Sequence, residues 1–248
     1  MVDETSSWIP ANWPAPNRIR AGTTSRRGGV SGKPFDSFNL ALHVGDDSDS
    51  VRHNREQLIR LLNLPSEPAW LKQVHSGVVT TGNGGMNTGA DARVTDKINI
   101  VCGVMTADCI PLLMCNRSGT KIAAIHAGWR GICRGIIPNT VDRLGEQGDG
   151  LLAWIGPHIC PEHYPVRDDM RNECLRSISI TAESAFTDVG NGYWHADIEK
   201  LAKIELERLG VMKIYNYEGC TFCEPETFYS YRRDGDTGRM ASLIWITD

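Results

Sequence analysis

The spacing of apolar side chains along the chain predicts strands and helices in irregular succession. Apolar runs of strand length fall at residues 19–25, 98–105, 110–115, 121–125, 151–155 and 241–246. Shorter strands are expected at 78–81, 213–217 and 227–231. Helical spacing places Val51, Leu58, Ile59, Leu61 and Leu62 on one face, behind Asp49 as N-cap. A second helix is predicted from Gly131 through Ile132, Ile136, Ile137, Val141 and Leu144, although Pro138 opposes it. Further helices are expected near 168–178 and 196–209. The strands at 98–105, 110–115 and 121–125 read as the centre of a sheet, with turn residues at 116–119 and a glycine-rich loop at 82–89. The class is mixed α/β.

Composition narrows the picture. With 248 residues, 41% of them hydrophobic, and no Pro/Gly/Ser linker, one large domain is expected. The net charge of -4 provides no basic stripe for a phosphate backbone, which argues against nucleic acid and for a small-molecule ligand. The most apolar stretch, 98–115, is interrupted by Asn99, Thr106, Asp108 and Pro111, so no membrane span is predicted. A polar, Pro-rich start argues against export and for a cytoplasmic protein with mostly reduced cysteines. Cys220 and Cys223 form a C-x-x-C, but two further ligands for a structural zinc site are not evident nearby.

Polar, metal-ligating residues interrupt the apolar pattern at three places: Gln73-Val74-His75, Thr106-Ala107-Asp108-Cys109, and His126-Ala127-Gly128-Trp129-Arg130-Gly131. Strand ends hold side chains in register while adjoining loops leave room for a ligand. Singly, His75, Cys109 and His126 pass for ordinary core or turn residues. Together, two imidazoles and one thiolate are a donor set for zinc with the fourth tetrahedral position open, the arrangement of a catalytic site. The same residues also permit a metal-free reading, with Cys109 as thiolate nucleophile and His75 or His126 as base.

Asp91 and Asp108 are candidates to orient the imidazoles, to move protons, or to cap turns. Arg130, and Arg26 in the glycine-rich run 26–33, are candidates to hold phosphate or a carboxylate. Trp129 suits stacking or packing. The segment 220–241 interleaves aromatics with arginines, as an arginine-aromatic shelf for a nucleobase or sugar would, or as a solvated strand edge.

Across almost the whole chain these motifs resemble the YfiH-like family. They include Ser25-Arg26, Phe38-Asn39-Leu40, Gln73-Val74-His75, Ala90-Asp91-Ala92, Thr106-Ala107-Asp108-Cys109, His126-Ala127-Gly128-Trp129-Arg130-Gly131 and Ser230-Tyr231-Arg232-Arg233-Asp234. The resemblance implies a single YfiH-like catalytic domain over residues 1–248, with a layered α-β-β-α arrangement like that of cysteine-hydrolase-like toxin domains. It implies zinc, or alternatively copper, on His75, Cys109 and His126, with Asp91 in the catalytic set and Arg26, Asn39 and Arg130 binding substrate or phosphate.

The implied activities are phosphorolysis of adenosine, inosine and methylthioadenosine, and deamination of adenosine. Laccase-like polyphenol oxidation and cysteine-type editing of cell-wall peptidoglycan precursors are alternatives; a zinc-binding module without turnover is another. A multicopper centre conflicts with the histidine supply, because the five histidines outside the candidate site lack paired His-x-His spacing. One departure from the family pattern is Pro165-Val166-Arg167-Asp168, where a Glu-Val-Gly run is common.

Overall fold

The computed structural model describes residues 7–81 and 89–248, so the expected loop at 82–89 lies outside the described residues except for Gly89. Two sheets form the centre. The smaller contains β1 (Trp8–Pro10), β2 (Ile19–Thr24), β13 (Met240–Ile246) and β5 (Cys102–Thr106), in that order and antiparallel throughout. The larger has the order β12 (Ile214–Asn216), β8 (Leu151–Ile155), β6 (Ile110–Asn116), β7 (Ile122–Ala127), β4 (Ala92–Thr95) and β3 (Val79–Thr81). Its middle is antiparallel and its two outer pairs are parallel.

The period-2 alternation of strands decides which side chains meet. In β6 and β7, Leu113, Cys115, Ile122 and Ala124 face the smaller sheet, where they pack with Cys102, Val104, Ile244 and Ile246. The alternate residues Ile110, Leu112, Met114, Ala123 and Ile125 face away, against α2 (Trp129–Cys133), α3 (Ile136–Leu144), α4 (Asp168–Ser177) and α5 (Ile198–Arg208). On the far side of the smaller sheet, Leu243, Trp245 and Met105 pack with Leu58 of α1 (Ser48–Leu62) and with Phe38, Leu40 and Trp70. The layers therefore run helix, sheet, sheet, helices. Both faces of each central strand are covered, which is why β6 and β7 read as unbroken apolar runs.

Several sequence expectations need correction. Asp47 rather than Asp49 caps α1, its side chain accepting from the Ser50 N–H at 2.8 Å. The single helix expected across 131–144 is two, broken at Gly135, whose φ of 77° suits glycine. Pro138 is then the third residue of α3, where an N–H would lack an intrahelical acceptor anyway. The strand expected at 227–231 is a loop leading into α6 (Tyr231–Asp234): the Thr227 and Phe228 N–H groups donate to the Glu224 carbonyl and the Tyr229 N–H to Met240 Sδ, so none of them joins a strand ladder. A third small sheet, β10 (Phe186–Gly190), β11 (Tyr193–Ala196) and β9 (Pro165–Arg167), has mostly exposed or half-buried positions and left little apolar signal. Among the described residues no helix is long and apolar enough to cross a membrane.

Leu113 is fully buried between the sheets. Leu113→Ala is expected to destabilise the fold by about 2–5 kcal/mol in urea denaturation, the cost of an unfilled cavity where neither sheet can collapse.

Candidate metal centre

His126 is the penultimate residue of β7 and shares the inter-sheet parity of Ile122 and Ala124. It thus stands where the core between the sheets ends. Cys109 lies in the short connection between β5 and β6, immediately after Asp108. His75 comes from the loop before β3. One ligand atom from each of these residues lies within 4.8 Å of the others, making a group that can hold a metal ion.

Backbone geometry is unusual at His75 and at Asp108, the residue before Cys109. Asp108 has a φ of 96° and His75 a φ of 55°, values costly for residues with a Cβ and sustained only by surrounding bonds. Asp108 Oδ1 accepts from Thr221 Oγ1 at 2.6 Å, and Oδ2 from the Arg232 N–H at 2.6 Å. Its carbonyl accepts from the Ile159 N–H at 3.1 Å. The His75 loop is held by Asp91, whose carboxylate accepts from the backbone N–H groups of Val74, His75 and Ser76 and from Ser76 Oγ. Gln73 pins the same loop to β5 by exchanging two 2.8 Å bonds with the Met105 backbone.

Asp91 Oδ1 also receives His126 Nδ1 at 2.8 Å, which leaves the other ring nitrogen for the site. His75 Nδ1 is buried without a protein hydrogen-bond partner. Such an orphaned nitrogen fits the role of a metal ligand, since burial without a partner is unfavourable. A Cβ on Gly128 would stand 2.8 Å from His75 Nδ1 and 3.0 Å from Cys109 Sγ, so only glycine leaves the donors their space.

The charges follow from this packing. Burial, reinforced by His126, lowers the His75 pKa to about 4, so its ring is neutral near pH 7 and available as a ligand. Burial opposes charge on His126, but bonds to Asp91 and Cys109 outweigh it and raise its pKa. Burial likewise opposes the Asp91 charge, yet the bonds from His126 and Ser76 bring that carboxyl down to about 2.

A cavity of about 810 Å³ opens over these donors. His75, Cys109 and His126 line it together with Trp129, Tyr164 and Tyr231 and with Arg130, Arg232 and Arg239. Each arginine lies over an aromatic ring: Arg130 over Trp129 at 4.4 Å, Arg232 over Tyr164 at 4.8 Å, Arg239 over Tyr231 at 5.8 Å. The arginine-aromatic segment expected near the C-terminus thus supplies part of the cavity wall.

Two expected binding residues are placed elsewhere. Arg26 does not line the cavity; its guanidinium donates to the Asp36 and Pro225 carbonyls, lies beside the Asp36 carboxylate and covers Tyr229. Asn39 is fully buried and bonds Asp46, the Ala41 backbone and the Arg239 N–H, so it positions a cavity arginine. Asp91 also stands behind the cavity wall.

The whole-chain arrangement matches known proteins. Residues 20–247 match the family model described as multi-copper polyphenol oxidoreductase laccase. The chain is 45% identical over 243 residues to Escherichia coli (strain K12) purine nucleoside phosphorylase YfiH, covering 97% of this chain and 99% of the relative. It is 45% identical over 244 residues to Pseudomonas aeruginosa purine nucleoside phosphorylase PA4543, covering 98% and 100% respectively. The crystal structure of Neisseria meningitidis protein NMB0706 superposes with a TM-score of 0.92 at 41% identity, covering 98% of this chain and 100% of that one. YlmD from Geobacillus stearothermophilus gives 0.92 at 29% identity, with 99% and 98% covered.

The chain belongs to the laccase-like YfiH family.

Within this YfiH-family chain, sequence reasoning missed Tyr164, Tyr231, Arg232 and Arg239 as individual cavity residues. The last three stand in the segment already singled out for its arginines and aromatics. Tyr164 carried no such signal, because only the fold brings the end of a short 3-10 turn beside α6.

Asp91→Asn keeps the size of the side chain but removes a buried charge that five donor groups address. It is expected to cost about 3–5 kcal/mol, read by urea denaturation of metal-free protein at a series of pH values. Because the folded carboxyl titrates at about 2 rather than 3.8, its contribution is complete above pH 3.8 and lost as pH falls through about 2. The variant is expected to lack that part of the acid slope.

Proposed function

We propose that this protein is a zinc-dependent purine nucleoside phosphorylase, with the metal held by His75, Cys109 and His126 and the substrates in the cavity above. The observation that carries the reading is the pairing of an orphaned, buried His75 Nδ1 beside a thiol and a second imidazole with three arginines on the wall of the same cavity. The naming of the Escherichia coli and Pseudomonas aeruginosa relatives as purine nucleoside phosphorylases supports it.

Phosphorolysis joins a phosphate oxygen to C1′ of the ribose as the C1′–N9 bond breaks. The bonding pair leaves with the purine, which takes up a proton. Arg130, Arg232 and Arg239 offer forked donors for phosphate. Trp129, Tyr164 and Tyr231 offer faces on which a purine stacks. Neutral imidazole and thiolate suit zinc, and three protein ligands leave one position for substrate or water. A bound zinc supplies Lewis acidity and positive charge at the cavity floor. Asp91 fixes the tautomer of His126 by taking its Nδ1–H.

In this reading adenosine, inosine and methylthioadenosine share the cavity, and deamination of adenosine, in which water replaces the amino group at C6, uses the same donors. The protein then acts in the cytoplasm on small molecules. A multicopper centre has little support, since the described residues gather His and Cys donors into only two groups and the second lies elsewhere.

One observation favours a second reading. Asp91, His126 and Cys109 stand in series: Asp91 Oδ1 bonds His126 Nδ1 at 2.8 Å, and the Cys109 thiol lies within 4.8 Å of an imidazole nitrogen of His126. A thiolate hydrolase attacking an amide, such as that of a misbuilt cell-wall precursor, needs this order of groups.

His75→Ala separates the two. The zinc reading expects phosphorolysis of inosine and deamination of adenosine each to fall by at least about 10²-fold, with the former also requiring phosphate. Wild-type rates in that variant would contradict it. An acyl adduct on Cys109 in mass spectrometry, with turnover insensitive to chelators, would establish the hydrolase instead.

A further inference from the structure

A second set of metal-ligating side chains converges away from the cavity floor. Cys160 precedes and His163 ends the 3-10 turn Pro161–His163 beyond β8, and Cys220 and Cys223 lie in a turn beyond β12. Two C-x-x-ligand turns, 60 residues apart in the chain, thus face each other. Cys160 Sγ is 3.2 Å from His163 Nδ1 and 3.9 Å from Cys223 Sγ, and Cys223 Sγ is 3.4 Å from the same nitrogen. All four donor atoms lie within 4.8 Å of one another.

Zinc bonds of about 2.3 Å to sulfur and 2.0–2.1 Å to nitrogen imply donor separations of roughly 3.6–3.8 Å around a tetrahedron. The separations here are already close to those edges. Cys220 Sγ accepts the Cys160 N–H at 3.1 Å, a bond that stabilises a thiolate. The His163 ring stacks on Phe222 with centroids 4.0 Å apart and 15° between planes, which orients Nδ1 toward the sulfurs.

We propose that Cys160, His163, Cys220 and Cys223 bind a structural zinc ion. Four protein ligands complete the tetrahedron and leave no position for substrate, so the ion acts as a clamp. It joins the two segments that wall the cavity. One bears Ile159 and Tyr164; the other bears Thr221 and leads to Tyr231 and Arg232. Both segments bond Asp108, the neighbour of Cys109, through the Ile159 N–H and Thr221 Oγ1. Another direct tie between the turns is the Thr221 N–H to the His158 carbonyl at 3.0 Å. The clamp does not depend on what the three-donor centre binds. The sequence expectation that Cys220 and Cys223 lack partner ligands is thereby corrected: Cys160-Pro161-Glu162-His163 was the available signal.

Zinc content of protein purified under reducing conditions, together with competition against a chromophoric chelator, tests this. A Cys160→Ser/Cys223→Ser variant is expected to lose one zinc per chain relative to wild type, while a His75→Ala/Cys109→Ser variant keeps that zinc. Cobalt substituted into the latter is expected to give the sulfur-to-cobalt charge-transfer absorption of a thiolate-rich tetrahedral site. Should the double serine variant fold poorly, Cys223→Ser alone, at an exposed position, is expected to weaken zinc binding at least about tenfold. Equal zinc content and affinity in wild type and Cys223→Ser, or a Cys160–Cys223 disulfide that forms in zinc-supplied protein and leaves its zinc content unchanged, would overturn the proposal.

Discussion

The Asp91 carboxylate organises the candidate site more than any other single group. It is fully buried, and it meets the His75 loop and the His126 ring at once: three backbone N–H groups, the Ser76 hydroxyl and an imidazole converge on two oxygens. The cost of burying its charge is offset only because each of these donors points inward. Two donor residues on different elements are thereby placed relative to one another by one side chain. The left-handed backbone at His75 is a local expression of the same constraint.

The fold supplies the remaining precision. Two sheets pack face to face, so the inter-sheet side chains of β7 end in His126, and the β5 to β6 connection delivers Cys109 beside it. Gly128 then turns the chain away with no Cβ to displace the thiol or the His75 ring. Asp108, held by Thr221, Arg232 and Ile159, connects this floor to walls formed by distant segments. The aromatic rings and arginines of those walls form a chemically distinct layer above the donors. A rigid base below a polar, cationic cavity suits a reaction in which charge must be gathered and then redistributed.

Much of this was legible in the residues. Strands covered on both faces gave long apolar runs, and the three candidate donors interrupted those runs at strand ends, where function is expected. Strand β4 was missed because it is only four residues long and buries Arg93 among apolar neighbours, so it shows no alternation. Arg26 and Asn39 look like ligand-binding residues by type. Whether a guanidinium or amide serves a ligand or the fold depends on which backbone groups lie within reach, and those come from residues up to 200 positions away. A separation of 60 residues likewise hid the partners of Cys220 and Cys223.

The central claim is that His75, Cys109 and His126 form a metal centre rather than a nucleophile with its base. Anomalous diffraction across the zinc edge, from crystals grown without added metal, tests it most directly. The account predicts a peak at about 2.0–2.3 Å from His75 Nδ1, Cys109 Sγ and the His126 nitrogen not bonded to Asp91. No anomalous peak among those three atoms at the zinc edge, with the Cys109 thiol free and His126 bonded to it, would contradict it.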